Sequence, residues 1–94
     1  MTSTIAYAGQ LTAGASATIG PTTDNGQWII HNVYTDDTKS VKVEYGDGTY
    51  WVHVATITGS MMAFYFHATN TYKIRLTNME GSTIRYGYDG MSVV

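Results

Sequence analysis

The sequence predicts an all-β fold: an antiparallel β-sandwich of seven or eight strands, with a jelly roll as one form it can take. In successive short runs, apolar residues recur at every second position, which is the side-chain period of a strand. Turn-forming sequences such as GPTTDNG, TDDTKS, GDG and MEGS separate these runs. No stretch between the turns has the length and the 3.6-residue period of a helix.

The strands of the N-terminal half follow from their own patterns. TIAYA is an eighth strand if it pairs with a neighbour, and QLTAGASATI alternates small apolar and polar residues as one further strand. QWIIHNVY is apolar on both faces, which predicts a central strand. In SVKVEYG the apolar residues alternate with Lys42 and Glu44, so one face of this strand is expected to meet water.

The C-terminal half continues the alternation. TYWVHVATI is a strand whose second face, with Trp51 and His53, is not plainly polar. MAFYFHATN, YKIRLTN and STIRYGYDG each alternate apolar residues with polar or charged ones, so they are predicted as half-buried strands.

Length and composition limit both the architecture and the function. A chain of 94 residues builds one core, and residues 1–9 are predicted as an N-terminal arm ahead of a sandwich domain at 10–94. The formal net charge of −2 argues against a nucleic-acid partner. No run approaches the roughly 20 apolar residues of a membrane span, so no membrane partner is expected. The absence of cysteine excludes disulfides and thiolate metal sites.

The acidic loops VEYGDGTYW and IRYGYDGM raise the question of a metal or catalytic site. Asp47-Gly48 lies between two alternating runs and has the chemistry of a tight hairpin turn. A calcium loop needs several closely spaced oxygen ligands, whereas Asp47 stands alone among glycines and Asp89 has no acidic neighbour. The turn interpretation is therefore favoured, with no cofactor.

Three histidines leave a metal site open. His31, His53 and His67 fall on three different predicted strands, and three imidazoles that converge could hold zinc or iron. No His-x-His or His-x-x-x-His pair brings two of them together locally, so no metal site is predicted. The chain also lacks a G-x-S-x-G elbow and a phosphate loop, so we expect no enzyme and no catalytic residues.

The aromatic residues are the remaining functional signal, since eight tyrosines and two tryptophans exceed what one small core can bury. Trp51 and His53 on one strand, with Tyr65 and His67 on another, would form a semi-polar aromatic surface if the two strands share a sheet. With Tyr50, these residues are the predicted interface. The competing interpretation is a second core layer.

The segments GQWIIHNVYTDD, VEYGDGTYW, FHATNTYKIRLTN and IRYGYDGM together resemble small virion proteins of tailed phages, in particular the β-sandwich decoration or cement proteins of phage heads. The resemblance extends from about residue 19 to residue 91 and consists of strand and turn patterns. It implies a virion structural protein on the head surface that binds between major capsid protein subunits, and turns or strand ends at YGDGTYW and YGYDGM. A homo-oligomer is expected, with a trimer favoured, because exposed aromatic faces and strand edges would otherwise meet water.

Three alternatives remain open. A tail or fibre structural protein is the nearest variant. A carbohydrate-binding module would use Trp51, Tyr50 and Tyr65 as a stacking platform. A metal-dependent enzyme of the sandwich type is the third.

Overall fold

The computed structural model describes residues 2–58 and 62–93 and confirms the all-β prediction. Eight antiparallel strands follow one another along the chain: β1 (Thr2–Leu11), β2 (Ser16–Ile19), β3 (Gln27–Thr35), β4 (Ser40–Gly46), β5 (Trp51–Thr58), β6 (Met62–Thr69), β7 (Lys73–Asn78) and β8 (Ile84–Val93). Within the described residues there is no helix long and apolar enough to cross a membrane.

The strand order is that of a jelly roll. Sheet A has the order β1-β8-β3-β6 and sheet B the order β2-β7-β4-β5. The first strand pairs with the last, the second with the seventh, the third with the sixth and the fourth with the fifth. The chain is thus one long hairpin rolled into two sheets, and its tip is the turn between β4 and β5.

The core lies between the two sheets and is mainly aliphatic. Ile30 and Val33 of β3 face Val43 of β4 and Ile74 and Leu76 of β7, and all five are fully buried. Val43, Ile74 and Leu76 occupy alternate positions that the sequence pattern placed on one side of their strands, whereas a bulge between Ile30 and Asn32 interrupts the alternation of β3. Each such side chain contributes about 1.5–3 kcal/mol relative to an exposed one.

Two features at the N-terminus differ from the sequence interpretation. From Thr2 onward the expected arm is strand β1, which pairs with β8 along its whole length and so confirms the eighth strand expected at TIAYA. QLTAGASATI was predicted as one strand, and this is wrong. Gly14 has a positive φ of 71°, and the Ala15 N–H donates to the carbonyl of Thr12 at 3.0 Å, so a turn separates β1 from β2.

The two Asp-Gly sequences have different roles. Gly48 has a φ of 97°, and one Asp47 carboxylate oxygen accepts the N–H groups of Thr49 and Tyr50 at 2.9 Å each, which confirms the hairpin turn. These backbone donors, with Tyr50 first, hold the pKa of Asp47 below its usual value of 3.8. Asp89-Gly90, in contrast, lies inside β8, so the expectation of a turn or strand end at YGYDGM is wrong.

Gly90 is needed at this position because β8 approaches β3 closely. A Cβ there would overlap the backbone carbonyl of Ile29. A glycine inside a strand can mark a close backbone approach as well as a turn, and sequence alone does not separate the two.

Candidate interaction surface

The outward side of sheet A, called outer face A below, carries aromatic, aliphatic and polar side chains. Its members are the outward-pointing neighbours of buried residues on the four strands of the sheet. They are Thr4, Ala6, Ala8 and Gln10 of β1, Arg85, Gly87, Asp89 and Met91 of β8, Ile29, His31, Asn32 and Tyr34 of β3, and Tyr65 and His67 of β6.

Ring contacts and amide hydrogen bonds order the β3–β6 side of outer face A. The rings of His31 and Tyr65 are stacked with centroids 6.3 Å apart, although 74% of the Tyr65 surface stays exposed. A ring nitrogen of His67, Nε2, lies 2.9 Å from the side-chain oxygen of Gln27. These side chains form an aromatic surface with polar tips, a composition that suits a protein contact.

A depression of about 450 Å³ lies at the end of this face where β1, β3 and β8 meet. Ala8, Tyr34 and Arg85 are among its lining residues, and the Tyr34 ring lies against Gly87 in the space that a Cβ would take. The Arg85 guanidinium and the Asp36 carboxylate form an exposed ion pair at the rim, with Nε and Oδ1 2.9 Å apart. The backbone N–H of Arg85 is the main cause that lowers the pKa of Asp36.

The outward side of sheet B, called outer face B below, is polar and bonded within itself. Ser16 and Thr77 share a hydroxyl hydrogen bond of 2.7 Å, and Ser40 and Thr58 share one of 2.9 Å. Both Nε and Nη2 of Arg75 donate to Oε1 of the nearly buried Glu44, at 3.0 and 2.8 Å. This face follows the hydrophobic-in, polar-out pattern of a sheet surface in water.

The predicted interface residues do not form one surface. β5 lies in sheet B and β6 in sheet A, so the condition that the two strands share a sheet is not met. Trp51 lies on outer face B, where the Arg75 guanidinium carbon is 4.5 Å from its ring centroid. Tyr65 and His67 lie on outer face A, on the opposite side of the sandwich. Tyr50 belongs to the hairpin loop and is 77% exposed.

The structure also separates the histidines. His31 and His67 belong to sheet A, whereas His53 of sheet B has its Nε2 3.0 Å from the Ala55 carbonyl and 3.1 Å from the Thr56 hydroxyl. Among the described residues no three His, Asp or Glu side chains are grouped so that they could hold a metal ion. The three histidines therefore do not converge from one sheet.

Several members of outer face A were missed by the sequence interpretation, in particular Ala6, Ala8, Ile29 and Met91. A signal for them exists in the sequence. QWIIHNVY is apolar on both faces although β3 has the core on one side only, and TSTIAYAGQL contains no charged residue. An apolar outward face on a two-layer sandwich predicts a contact surface.

The described fold is similar to solved structures of nucleoplasmin-like domains. The NLP core of Drosophila, a structure that gave insight into pentamer formation and histone binding, has a TM-score of 0.56 at 15% identity and covers 98% of both chains. The nucleoplasmin-like N-terminal domain of Drosophila FKBP39 has a TM-score of 0.59 at 13% identity, over 97% of this chain and 91% of that one. The Yersinia pseudotuberculosis-derived mitogen has a TM-score of 0.49 at 12% identity, over 96% and 86%.

No protein-family model and no curated protein sequence matches the chain. At 13–15% identity, the two Drosophila domains show that this chain shares their fold. They are not phage proteins, and the prediction of a capsid decoration protein is wrong. The physical reason is that strand and turn patterns predict the sandwich fold and not the function. The same fold is common to proteins of many functions. A capsid protein partner has no support, and the location on a virion head stays a prediction.

Proposed function

We propose that this protein is a nucleoplasmin-like, non-catalytic binding module that acts as a homo-oligomer and binds a basic protein of the histone type. The observation that carries the proposal is the fold likeness over almost the whole chain to two nucleoplasmin-like domains, one of which is described by pentamer formation and histone binding. In this proposal a pentamer takes the place of the trimer favoured from the sequence.

Outer face A supports the oligomer. Stacked rings, an exposed tyrosine and small side chains cover a sheet surface that carries few charges. Interfaces are enriched in tyrosine and depleted in charged residues at their centres. Contact between copies would remove this surface from water.

Net charge supports a basic partner only after assembly. A single chain has a formal charge of −2, which is a weak field, but five copies of −2 carry −10. Asp24 and Asp37 are exposed in loops, where such a field can meet a ligand. Attraction of this kind accelerates association and weakens as salt is added.

Sedimentation equilibrium and a titration with core histones test the proposal together. We expect a mass of about 50 kDa, five times the 10.3 kDa of one chain. We also expect saturable histone binding that weakens between low and high salt. Hen lysozyme, which is basic but not a histone, is the control and should bind more weakly. A chain that stays monomeric at tens of micromolar and binds histones no better than lysozyme would refute the proposal.

A further inference from the structure

A polar cleft of about 400 Å³ is lined by the β4–β5 hairpin turn, by the β6–β7 turn and by strands of sheet B. This volume falls within the range of ligand pockets, about 300–1,000 Å³. Because the cleft belongs to sheet B, assembly through outer face A would leave it open. Its lining combines hydroxyl, amide, indole and charged groups: Thr18, Asp47, Gly48, Trp51, Asn70, Thr71, Lys73 and Arg75.

The first basic side chain of the cleft, Arg75, is held in place and keeps free donors. It uses Nε and Nη2 for Oε1 of Glu44, at 3.0 and 2.8 Å, and its guanidinium carbon lies 4.5 Å from the Trp51 ring centroid. Its Nη1 has no hydrogen-bond partner among the described residues. A guanidinium fixed in this way needs little further ordering to bind an anion.

The second basic side chain, Lys73, is only partly exposed and has no ion-pair partner in the described part of the chain. Its aliphatic stem lies against Gly20, where a Cβ would come within 2.8 Å of the Lys73 Cγ. Asp47 lines the same cleft without pairing to Lys73, because its Oδ1 accepts the N–H groups of Thr49 and Tyr50. The cleft thus has an unpaired ammonium, whereas its carboxylate is bonded to its own turn.

We propose that this cleft binds the phosphate group of a small phosphate monoester. The site goes beyond the proposed function, since neither assembly nor histone binding requires it. A phosphate monoester carries a charge of about −1.5 to −2 and three strong acceptor oxygens. Lys73 and Arg75 supply the opposite charge and free N–H donors, and the hydroxyl groups of Thr18 and Thr71 can donate as well.

The state of the charged groups favours an anionic ligand over a basic one. The two carboxylates at or beside the cleft already accept hydrogen bonds from the protein, Glu44 from Arg75 and Asp47 from its turn. A lysine or arginine side chain of a histone would therefore meet the unpaired ammonium of Lys73 and be repelled. The cleft and the histone contact are separate sites in this proposal.

Titration with phenyl phosphate at fixed ionic strength tests the site, followed by the NMR signals of the Trp51 indole N–H and the Arg75 Nε–H. We expect saturable shifts with a Kd of about 1 mM or lower. Phenyl sulfate has the same ring and a single negative charge, so it should bind at least about fivefold more weakly.

Lys73→Gln removes the unpaired ammonium and should weaken phenyl phosphate binding by at least about tenfold. Lys39→Gln makes the same change of charge just before β4, at the opposite end of that strand from Asp47, and should bind like the wild type. Thermal melting shows whether both variants fold, and sedimentation should give both the wild-type mass.

Asp47→Asn changes binding in the other direction and does not depend on how Lys73→Gln folds. The variant keeps a side-chain oxygen for the Thr49 and Tyr50 N–H groups and removes a negative charge from the cleft. We expect phenyl phosphate to bind about two- to fivefold more tightly. Weaker binding in Asp47→Asn together with tighter binding in Lys73→Gln would indicate a basic ligand and refute the proposal.

The outcomes separate this cleft from the proposed function. The absence of a saturable shift up to about 10 mM phenyl phosphate, or equal binding by wild type, Lys73→Gln and Lys39→Gln, refutes the cleft and leaves the proposed function standing. Binding that follows the expected pattern in a chain that stays monomeric and does not prefer histones supports the cleft and refutes the proposed function. A phosphoserine peptide that binds at least about tenfold more tightly than phenyl phosphate would assign the cleft to a phosphorylated protein and refute the small ligand.

Discussion

Outer face A and outer face B belong to sheets of four strands each, yet they meet water differently. On the strands of sheet B, Lys42, Glu44, Lys73 and Arg75 supply charged groups. On the strands of sheet A, the charged side chains are Arg85 and Asp89. Asp89 accepts a hydrogen bond from the Asn32 amide at 2.8 Å, and Arg85 pairs with Asp36 at the rim.

Most of the charged residues on the strands therefore belong to sheet B. Outer face B needs no partner to satisfy its polar groups, because they form hydrogen bonds with one another and with water. Outer face A keeps aromatic and aliphatic groups at outward positions that a monomer does not need. If the proposed function holds, the polar contacts of sheet B serve stability and outer face A serves association.

The largest stability effect is expected at Glu44, which accepts two Arg75 hydrogen bonds while being only 7% exposed. Glu44→Ala leaves Arg75 without its main partner, and we expect a loss of about 2 kcal/mol in the free energy of unfolding. Urea unfolding measures this. Asp37→Ala, which removes an exposed carboxylate, should change stability by less than about 0.5 kcal/mol. Equal effects of the two variants would contradict the role given to outer face B.

Substitutions of Trp51 and Tyr65 test the roles of the two outer faces one at a time. Trp51→Ala removes a half-buried ring and its Arg75 contact, so we expect a cost of about 1 to 2 kcal/mol in unfolding and no change in oligomer mass. Tyr65→Ala removes a 74% exposed ring and should leave unfolding within about 0.5 kcal/mol of wild type while weakening assembly. Urea unfolding and sedimentation of both variants provide the test, and the reverse pattern would exchange the roles of the two faces.

The hairpin turn that leads into Trp51 gives a smaller effect. Gly48 has a φ of 97°, in a region that L-residues rarely adopt, while nothing crowds its Cβ position. Gly48→Ala should therefore cost about 1 kcal/mol through backbone strain alone. Gly81→Ala is the matched control, since Gly81 also has open space but no such φ, and it should be near neutral. A neutral Gly48→Ala in thermal melting would mean that the turn relaxes.

Much of the fold could be predicted because the alternation of apolar and polar residues along a strand indicates which side of the strand is buried. SVKVEYG and YKIRLTN are strands in the structure, with Lys42, Glu44 and Arg75 outward as the pattern indicated. The break after Leu11 was missed because small residues on both sides of Gly14 keep the alternation going through a turn.

The candidate surface was harder to predict because it depends on which strands become neighbours. The pairing of β5 with β4 and of β6 with β3 sends Trp51 and Tyr65 to opposite sides, and local sequence does not encode that choice. The bulge at Val54 also shifts the alternation of β5 by one residue, which no pattern of period two can show.

The last and smallest effect at neutral pH concerns the tyrosines that attach β1 to sheet A. Burial, followed by a side-chain hydrogen bond with Tyr7, raises the pKa of Tyr86 to about 12, above the ordinary value of 10.0. The folded chain thus holds this proton at a pH where the unfolded chain has lost it. The stability that Tyr86 contributes is present below about pH 10 and is lost as pH rises towards 12.

Tyr86→Phe removes the titrating group, so its unfolding free energy should fall less steeply than that of the wild type over this alkaline range. Urea midpoints at several values from pH 8 upward, with phenolate absorbance measured in parallel, give the two slopes. Tyr65→Phe, at the 74% exposed ring on outer face A, is the matched Tyr→Phe control. If Tyr86→Phe shows the same slope as the wild type, the loss of stability at alkaline pH comes from other groups. The attachment of β1 to sheet A then does not depend on a protonated Tyr86.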